Sequence, residues 1–189
     1  MRQIANNLTN YLIRMQLIQD TDAEIYQYGL LRGLELILNI IVSILVSLIL
    51  DMFWEGLFFF VFFVPLRSYA GGLHLKHYIS CFFLSLITFT AALFVAKYYN
   101  IVSVSLVILF FILIVAILLL YPVENRNREV NEKENIYFYK KMKLFIAIDI
   151  VIMVICLYCG FNNIIMIGDE ALLITMLTMF VGKIIEKNN

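Results

Sequence analysis

The stretch that decides the fold is "IVSVSLVILFFILIVAILLLY", residues 101–121, which contains no charged side chain. Its length suits the ~20 residues that an α-helix needs to cross ~30 Å of hydrocarbon. The whole chain of 189 residues is 63% hydrophobic and only 15% charged, a composition that excludes a single soluble domain. The sequence therefore predicts an integral membrane protein.

Five further apolar segments flank this stretch, so that six segments together account for most of the chain. They are residues 34–50, 52–66, 78–96, 144–160 and 163–181. The second segment is short, about 15 residues or ~22 Å of helix, and it ends near Pro65, so we expect it to stop inside the membrane layer. The predicted fold is an all-α integral membrane protein with about six transmembrane or partly membrane-embedded helices, preceded by an N-terminal amphipathic helix.

The positions of the basic residues predict the orientation. If all six segments cross and the N-terminus lies inside, every one of the 14 Lys and Arg residues except Lys97 falls on the inner side. The positive-inside rule favours this orientation, with both termini in the cytoplasm. It predicts an interfacial region at 1–33, a transmembrane domain at 34–181 with cytoplasmic loops at 67–77 and 122–143, and a cytoplasmic tail at 182–189. A net charge of zero favours no nucleic-acid partner.

The N-terminal region shows the spacing of an amphipathic helix. Apolar residues recur every three or four positions, which predicts a helix lying in the membrane interface. They are Ile4, Leu8, Leu12, Met15 and Ile18. Two roles remain open, a membrane anchor and a docking surface for a substrate. We expect no removable signal peptide, because residues 1–26 lack an apolar core followed by a cleavage site.

The stretch "VPLRSYAGGLHLKHYISCFFLSL", residues 64–86, concentrates reactive side chains between two apolar runs. A cysteine becomes a strong nucleophile when a nearby imidazole accepts its proton. On a continuous helix His77 and Cys81 stand at i and i+4, about 5 to 6 Å apart between Cβ atoms. His74 would lie ~10 Å from Cys81 along the same helix, so it can serve as base only if the chain breaks between them. Helical geometry alone favours His77, and an incidental pair is the alternative.

Two cysteines and three other polar residues lie inside predicted membrane segments. Cys156 and Cys159 form a C-x-x-C pair, which we interpret as apolar packing rather than a redox or metal site, so no metal and no cofactor is predicted. Glu35, with Asn39 one turn later, and Asp149 lie in membrane segments, where carboxylates usually face the protein interior. These residues are also compatible with a different function, that of a small transporter in which they would line a polar path through the membrane.

The longest polar stretch, residues 122–143, carries a basic surface formed by Arg126, Arg128, Lys140, Lys141 and Lys143. Basic residues beside a membrane segment attract anionic lipid or an acidic peptide tail. Both interpretations stay open at this point.

Two runs resemble one membrane protein family. The run "LRSYAGGLHLKHYISC", residues 66–81, resembles the signature of the AgrB (accessory gene regulator B) family, which has an Arg, a Gly-Gly step, a His, and a Cys seven residues after that His. The run "EIYQYGLLRGLELI", residues 24–37, resembles the Tyr-Gly segment that leads into the family's first span. Length, six apolar segments and a basic central loop agree with the family as well.

The resemblance implies a membrane-embedded cysteine endopeptidase that cleaves a small AgrD-like precursor peptide and promotes its cyclisation to a thiolactone or lactone autoinducer for quorum sensing. It implies Cys81 as nucleophile and His74 as general base, with His77 as the alternative base. Residues expected to support the site or bind substrate are Arg67, Gly71 and Gly72.

The expected partners follow from the same resemblance. They are the AgrD-like precursor signal peptide, whose tail would contact Lys140, Lys141 and Lys143, and the lipid bilayer, and a homodimer remains open. The alternative function is a small transporter or exporter without peptidase activity.

Overall fold

The computed structural model describes residues 1–72, 78–99, 103–122 and 132–187, which form helices joined by turns and contain no strand. The predicted all-α class is therefore confirmed. The helices are α1 (Arg2–Arg14), a 3-10 turn (Asp20–Asp22), α2 (Ala23–Ile49), α3 (Phe53–Ala70), α4 (Tyr78–Tyr98), α5 (Ser103–Leu120), α6 (Glu132–Cys159) and α7 (Asn162–Lys187).

Five helical stretches of the described chain are long and apolar enough to cross a membrane. They are Asp20–Ile49, Phe53–Ala70, Ile79–Tyr98, Glu134–Cys159 and Asn162–Ile185. The segment that decides the fold forms a shorter apolar helix, Val104–Leu120. The expectation of about six membrane-embedded helices is thus close, and the protein fits a multi-pass membrane protein.

Helix α3 corrects the expectation that the second segment stops at Pro65. The helix continues through Pro65 to Ala70 and reaches 18 residues, about 27 Å of rise. A proline removes one backbone hydrogen bond, which a membrane helix tolerates where side chains and neighbouring helices satisfy the backbone. Ser68 Oγ donates to the Val64 carbonyl one turn away, at 2.7 Å. Residues 67–70, predicted in a loop, therefore belong to a helix.

The second predicted loop is also shorter than expected. Helix α6 begins at Glu132, so residues 132–143 are helical rather than part of the polar loop 122–143. Charged and aromatic side chains in this stretch are good or neutral helix formers, and the apolar run that follows extends the same helix into the membrane segment.

The chain divides into two compact units, Met1–Leu45 and Val46–Asn189, and α2 contributes to both. In the first unit, α1 buries the small residues Ala5 and Thr9, and Gln27 on α2 donates a side-chain hydrogen bond to Asn6. Several large apolar side chains of α1 remain exposed, namely Ile4, Leu8 and Tyr11, and so does Met15 just after the helix. An exposed apolar stripe on a short helix suits the predicted interfacial placement.

In the second unit, α7 is the central helix and packs against α3, α4, α5 and α6. Two close approaches give its direction relative to α3. A Cβ at Gly168 would lie 3.3 Å from the Phe62 ring, and one at Gly72 would lie 3.2 Å from the backbone of Thr178. Residue numbers rise together along both helices, so α3 and α7 run parallel. The three intervening helices α4, α5 and α6 account for this parallel arrangement if successive segments alternate in direction.

One end of the second unit gathers the end of α2, the start of α3, the end of α4 and the start of α7. Lys97 Nζ donates to the Leu50 carbonyl at 2.7 Å, and Asn163 Nδ2 donates to Glu55 Oε1 at 3.5 Å. We call this the Lys97 end.

The opposite end gathers the ends of α3, α5 and α7 and the starts of α4 and α6. Lys183 Nζ donates to the Leu120 carbonyl at 3.0 Å, and Tyr69 of α3 stacks on Phe145 of α6 with ring centroids 5.5 Å apart. We call this the Gly72 end, because the C-terminal end of α3 with Arg67, Gly71 and Gly72 lies here.

Candidate active site

Arg67 closes the C-terminal end of α3. Its Nη1 donates to the carbonyl of Gly71 at 2.5 Å, which satisfies one of the carbonyls that a helix end leaves without a partner. Gly71 itself has a φ of 81°, in the left-handed region that glycine adopts at little cost. The guanidinium and the glycine thus end the helix together.

Gly72 is held in a tighter position than Gly71. Its φ is 129°, and an added Cβ would lie 2.8 Å from Arg67 Nη1 and 3.2 Å from the backbone carbon of Thr178. Only a residue without a side chain fits between the guanidinium and α7. Helix α7 therefore forms a wall behind the Gly-Gly step, and sequence analysis missed Thr178 because nothing local marks a contact across so much of the chain.

Cys81 lies in the first turn of α4 as a partly buried free thiol. It is close enough to Arg67 for the two side chains to interact electrostatically. The structure thus brings Arg67, Gly71, Gly72 and Cys81 together at the Gly72 end.

The two predicted bases, His74 and His77, lie outside the described residues, and so do Arg126 and Arg128. The choice between His74 and His77 therefore stays a prediction.

Tyr69 links the site to α6. Besides stacking on Phe145 with an interplanar angle of 13°, its ring lies 6.1 Å from Phe138 and 6.5 Å from Tyr137. Aromatic pairs at these distances add about 0.5 to 1.5 kcal/mol each beyond the burial of their surface. The start of α6 is thereby fixed against the end of α3 that carries Arg67.

The three predicted peptide-contacting lysines lie on α6. Lys141 Nζ stands 5.6 Å from the centre of the Tyr137 ring, and Lys143 Nζ stands 4.4 Å from that of Tyr139. Lys140 is exposed. Two residues of helix turn through about 200°, so Lys141 and Lys143 face nearly opposite sides of α6.

Two carboxylates are buried in the second unit. Asp149 on α6 is 2% exposed and Asp169 on α7 is 3% exposed. Asp149 Oδ2 and both carboxylate oxygens of Asp169 have no hydrogen-bond partner among the described residues. Asp149 was a predicted candidate, whereas Asp169 was missed, although the adjacent acids Asp169 and Glu170 inside the apolar segment 163–181 were the available signal.

The polar residues predicted on the first span form a local network. Arg32 Nη1 and Glu35 Oε2 form an ion pair at 2.8 Å, and Arg32 also lies over the Tyr28 ring at 5.1 Å. Ser43 Oγ donates to Asn39 Oδ1 at 3.4 Å, one turn further along α2. All of these contacts lie within the first unit.

The C-x-x-C pair is divided between two environments. Cys156 is 3% exposed and belongs to the apolar core, while Cys159 is exposed at the end of α6. Among the described residues, no group of three His, Cys, Asp or Glu side chains could hold a metal ion.

Comparison with known proteins supplies the family. No curated protein and no solved structure is detectably similar to the chain. The sequence model of the family "Accessory gene regulator B" (AgrB) matches residues 5–182, nearly the full length, a range that includes Arg67, Gly71, Gly72 and Cys81. The chain therefore belongs to the AgrB family of membrane proteins.

Proposed function

We propose that the protein is a membrane-embedded cysteine endopeptidase that cleaves a small AgrD-like precursor and promotes its cyclisation to a thiolactone or lactone autoinducer. Family membership supports a role in the processing of such a precursor for quorum sensing. The observation that carries the proposal is the placement of Cys81 beside Arg67 and the Gly71–Gly72 step at one end of the bundle.

In the proposed reaction, the Cys81 thiolate attacks a peptide carbonyl of the precursor. His74 gives a proton to the departing amine, and the N-terminal part of the precursor remains on Cys81 as a thioester. A thiol or hydroxyl within the bound peptide then attacks this thioester, closes the ring and releases the Cys81 thiol. Water would instead hydrolyse the thioester, so apolar surroundings that exclude water favour cyclisation.

Arg67 and Gly72 would position this chemistry. The Arg67 guanidinium has donors that suit a developing oxyanion or a substrate carboxylate, while its bond to Gly71 holds the Gly-Gly step open to a peptide. Gly72 is buried between Arg67 and α7, so the absence of a side chain there lets the guanidinium stay against the Gly-Gly step.

The distribution of basic residues supports a cytoplasmic location for the Gly72 end and for both termini. Lys140, Lys141, Lys143 and Lys183 all belong to this end, whereas Lys97 is at the other. The precursor would therefore reach Cys81 from the cytoplasm. A homodimer is compatible with this arrangement.

The test is co-expression of the protein with a cognate precursor, followed by mass spectrometry of the peptide products. Cys81→Ala and His74→Ala should each reduce cleavage below detection, because nucleophile and base act as a unit. Cys159→Ala, which removes an exposed thiol at the far end of α6, is the matched control and should leave cleavage unchanged.

His77→Ala separates the two candidate bases and should retain most of the activity. Cleavage by Cys81→Ala would disprove the peptidase, and loss in His77→Ala with activity in His74→Ala would reassign the base to His77.

The alternative function, a transporter or exporter without peptidase activity, has one observation in its favour. Asp149 and Asp169 place unpaired carboxylates within membrane-spanning helices, as polar pathways do. If it holds, Asp149→Asn and Asp169→Asn should abolish export of a mature peptide while Cys81→Ala exports normally. If the protein is a peptidase, Cys81→Ala should instead abolish the appearance of the mature peptide, and the two Asp→Asn variants should retain it.

A further inference from the structure

We propose that the first turns of α6 form a binding site for the phosphate headgroups of anionic phospholipids. The site consists of two pairs, Tyr137 with Lys141 and Tyr139 with Lys143, one on each side of the helix. We call these residues the α6 collar. This inference does not depend on the proposed peptidase.

Each pair of the α6 collar is built in the same way. The lysine follows its tyrosine by four residues, so the ammonium lies over the ring, 5.6 Å from the centre of Tyr137 and 4.4 Å from that of Tyr139. An ammonium on a ring face keeps its remaining donors free for an anion while the ring limits its motion. Neither ammonium has a carboxylate partner among the described residues, so both positive charges are available.

The α6 collar lies where the polar start of α6 meets its apolar body. The membrane-spanning stretch Glu134–Cys159 has no basic residue after Lys143. The collar rings are accessible, with Tyr137 51% and Tyr139 37% exposed. Tyrosine is enriched at the level of lipid headgroups, where one part of its ring system is apolar and its hydroxyl is wet. Position, aromaticity and charge all fit the headgroup layer.

We assign this surface to a lipid because it matches both the charged headgroup and the apolar chains of a phospholipid. The exposed apolar residue Leu144, 50% exposed, directly follows the lysines on the side of the apolar body of α6 and suits an acyl chain. The ammonium groups suit a phosphate diester carrying a negative charge. An acidic soluble peptide would match the charge alone.

The α6 collar is connected to the candidate site through Tyr69. Tyr137 lies 6.5 Å from Tyr69, which belongs to the same helix as Arg67. On the other side, Tyr139 lies 5.2 Å from Tyr121, whose hydroxyl donates to the backbone of Asn135. Bound headgroups would therefore hold α6 at a fixed depth relative to both α3 and α5.

The experiment uses the full chain reconstituted in phosphatidylcholine membranes with spin-labelled phosphatidylglycerol or spin-labelled phosphatidylcholine as probe. Electron paramagnetic resonance gives the preference of the protein for the anionic lipid. Lys141→Gln and Lys143→Gln should each lower this preference by about fivefold, because each ammonium is held over its tyrosine ring at the headgroup level, where one basic residue contributes about that factor.

The matched control is Lys140→Gln, which removes the same charge from the same helix. Lys140 is exposed and has no ring partner among the described residues, so its loss should change the preference by less than about twofold. Tyr139→Leu keeps the apolar bulk and removes the hydroxyl and most of the ring quadrupole; it should lower the preference without altering helicity by circular dichroism.

Two results would overturn the proposal. Equal effects of all three lysine substitutions would mean that diffuse charge, rather than the Tyr–Lys pairs, attracts the lipid. Unchanged lipid preference in Lys141→Gln and Lys143→Gln, together with loss of binding to a synthetic glutamate-rich peptide, would assign the surface to a peptide instead. Neither result bears on cleavage at Cys81, so the failure of this proposal and that of the peptidase are distinguishable.

Discussion

The two ends of the second unit use the same device for different purposes. At the Lys97 end, a lysine ammonium donates to the Leu50 carbonyl and thereby caps the end of α2. At the Gly72 end, the Arg67 guanidinium donates to Gly71 and caps the end of α3, but it also interacts with Cys81 and excludes any side chain at Gly72. A cation on a helix-end carbonyl is thus structural where it stands alone. Under the proposed function, it also contributes to the site where Cys81 and the Gly-Gly step adjoin it.

The comparison also explains the one exception to the charge asymmetry. Lys97 is the single basic residue that the positive-inside rule places on the outer side, and its ammonium is occupied by a carbonyl rather than left for lipid or substrate. A cation at a helix C-terminus stabilises the helix dipole as well as the carbonyl. The presence of Lys97 at the outer end is therefore explained by its contact with the end of α2.

The largest effect is expected at Gly72, which we compare with Gly160, a glycine of positive φ at the other end. Gly72→Ala places a Cβ 2.8 Å from Arg67 Nη1 at a φ of 129°, so we expect precursor cleavage to be lost and the free energy of unfolding to fall by about 2 to 4 kcal/mol. Gly160→Ala, at the Lys97 end, has a φ of 75° but open space around it, so it should cost only about 1 to 2 kcal/mol and retain cleavage. Unfolding in detergent, followed by circular dichroism, and mass spectrometry of the peptide check both. Full cleavage by Gly72→Ala would show that the close approach to Arg67 is not needed.

A smaller effect is expected when the two cations that cap helix ends, Arg67 and Lys97, are substituted. Arg67→Gln should lower cleavage about 100-fold, because it removes a donor next to the nucleophile. Lys97→Ala should lower the free energy of unfolding by about 0.3 to 1 kcal/mol, the usual contribution of a cation at a helix end, and leave the cleavage rate unchanged. Arg67→Lys keeps the charge beside Cys81 without the planar fork and should recover part of the activity. Equal loss of cleavage in Arg67→Gln and Lys97→Ala would mean that both cations act only through stability.

The smallest effect is expected between the two ends, at Asp169. Its carboxylate is buried and has no hydrogen-bond partner among the described residues, so Asp169→Asn replaces a costly group with a neutral one of the same shape. The free energy of unfolding should change by less than about 1 kcal/mol or rise. Glu35→Gln is the matched control, because it weakens the ion pair with Arg32 and should destabilise the protein. A loss of more than about 2 kcal/mol in Asp169→Asn would indicate that the carboxylate has a partner in the folded membrane protein.

Sequence patterns alone determined the class of the protein and suggested where its site lies. Apolar length predicts the membrane helices, because the hydrocarbon thickness sets the number of residues that a span needs. The run that holds Arg67, Gly71, Gly72 and Cys81 is short, so a reaction centre could be proposed from residues close in sequence. Both inferences depend on properties of short stretches of the chain, which can be read from the amino-acid sequence without knowledge of the fold.

Only the tertiary structure decided which distant residues complete that neighbourhood. That α3 continues through Pro65 to Ala70 is seen only in the folded chain, and the wall at Thr178 depends on α7 running parallel to α3. The separation of Lys141 from Lys143 likewise became visible only when their stretch proved to be helix instead of loop. The physical reason is that side-chain contacts between helices depend on rotation and depth in the bilayer, which packing sets and hydropathy does not encode.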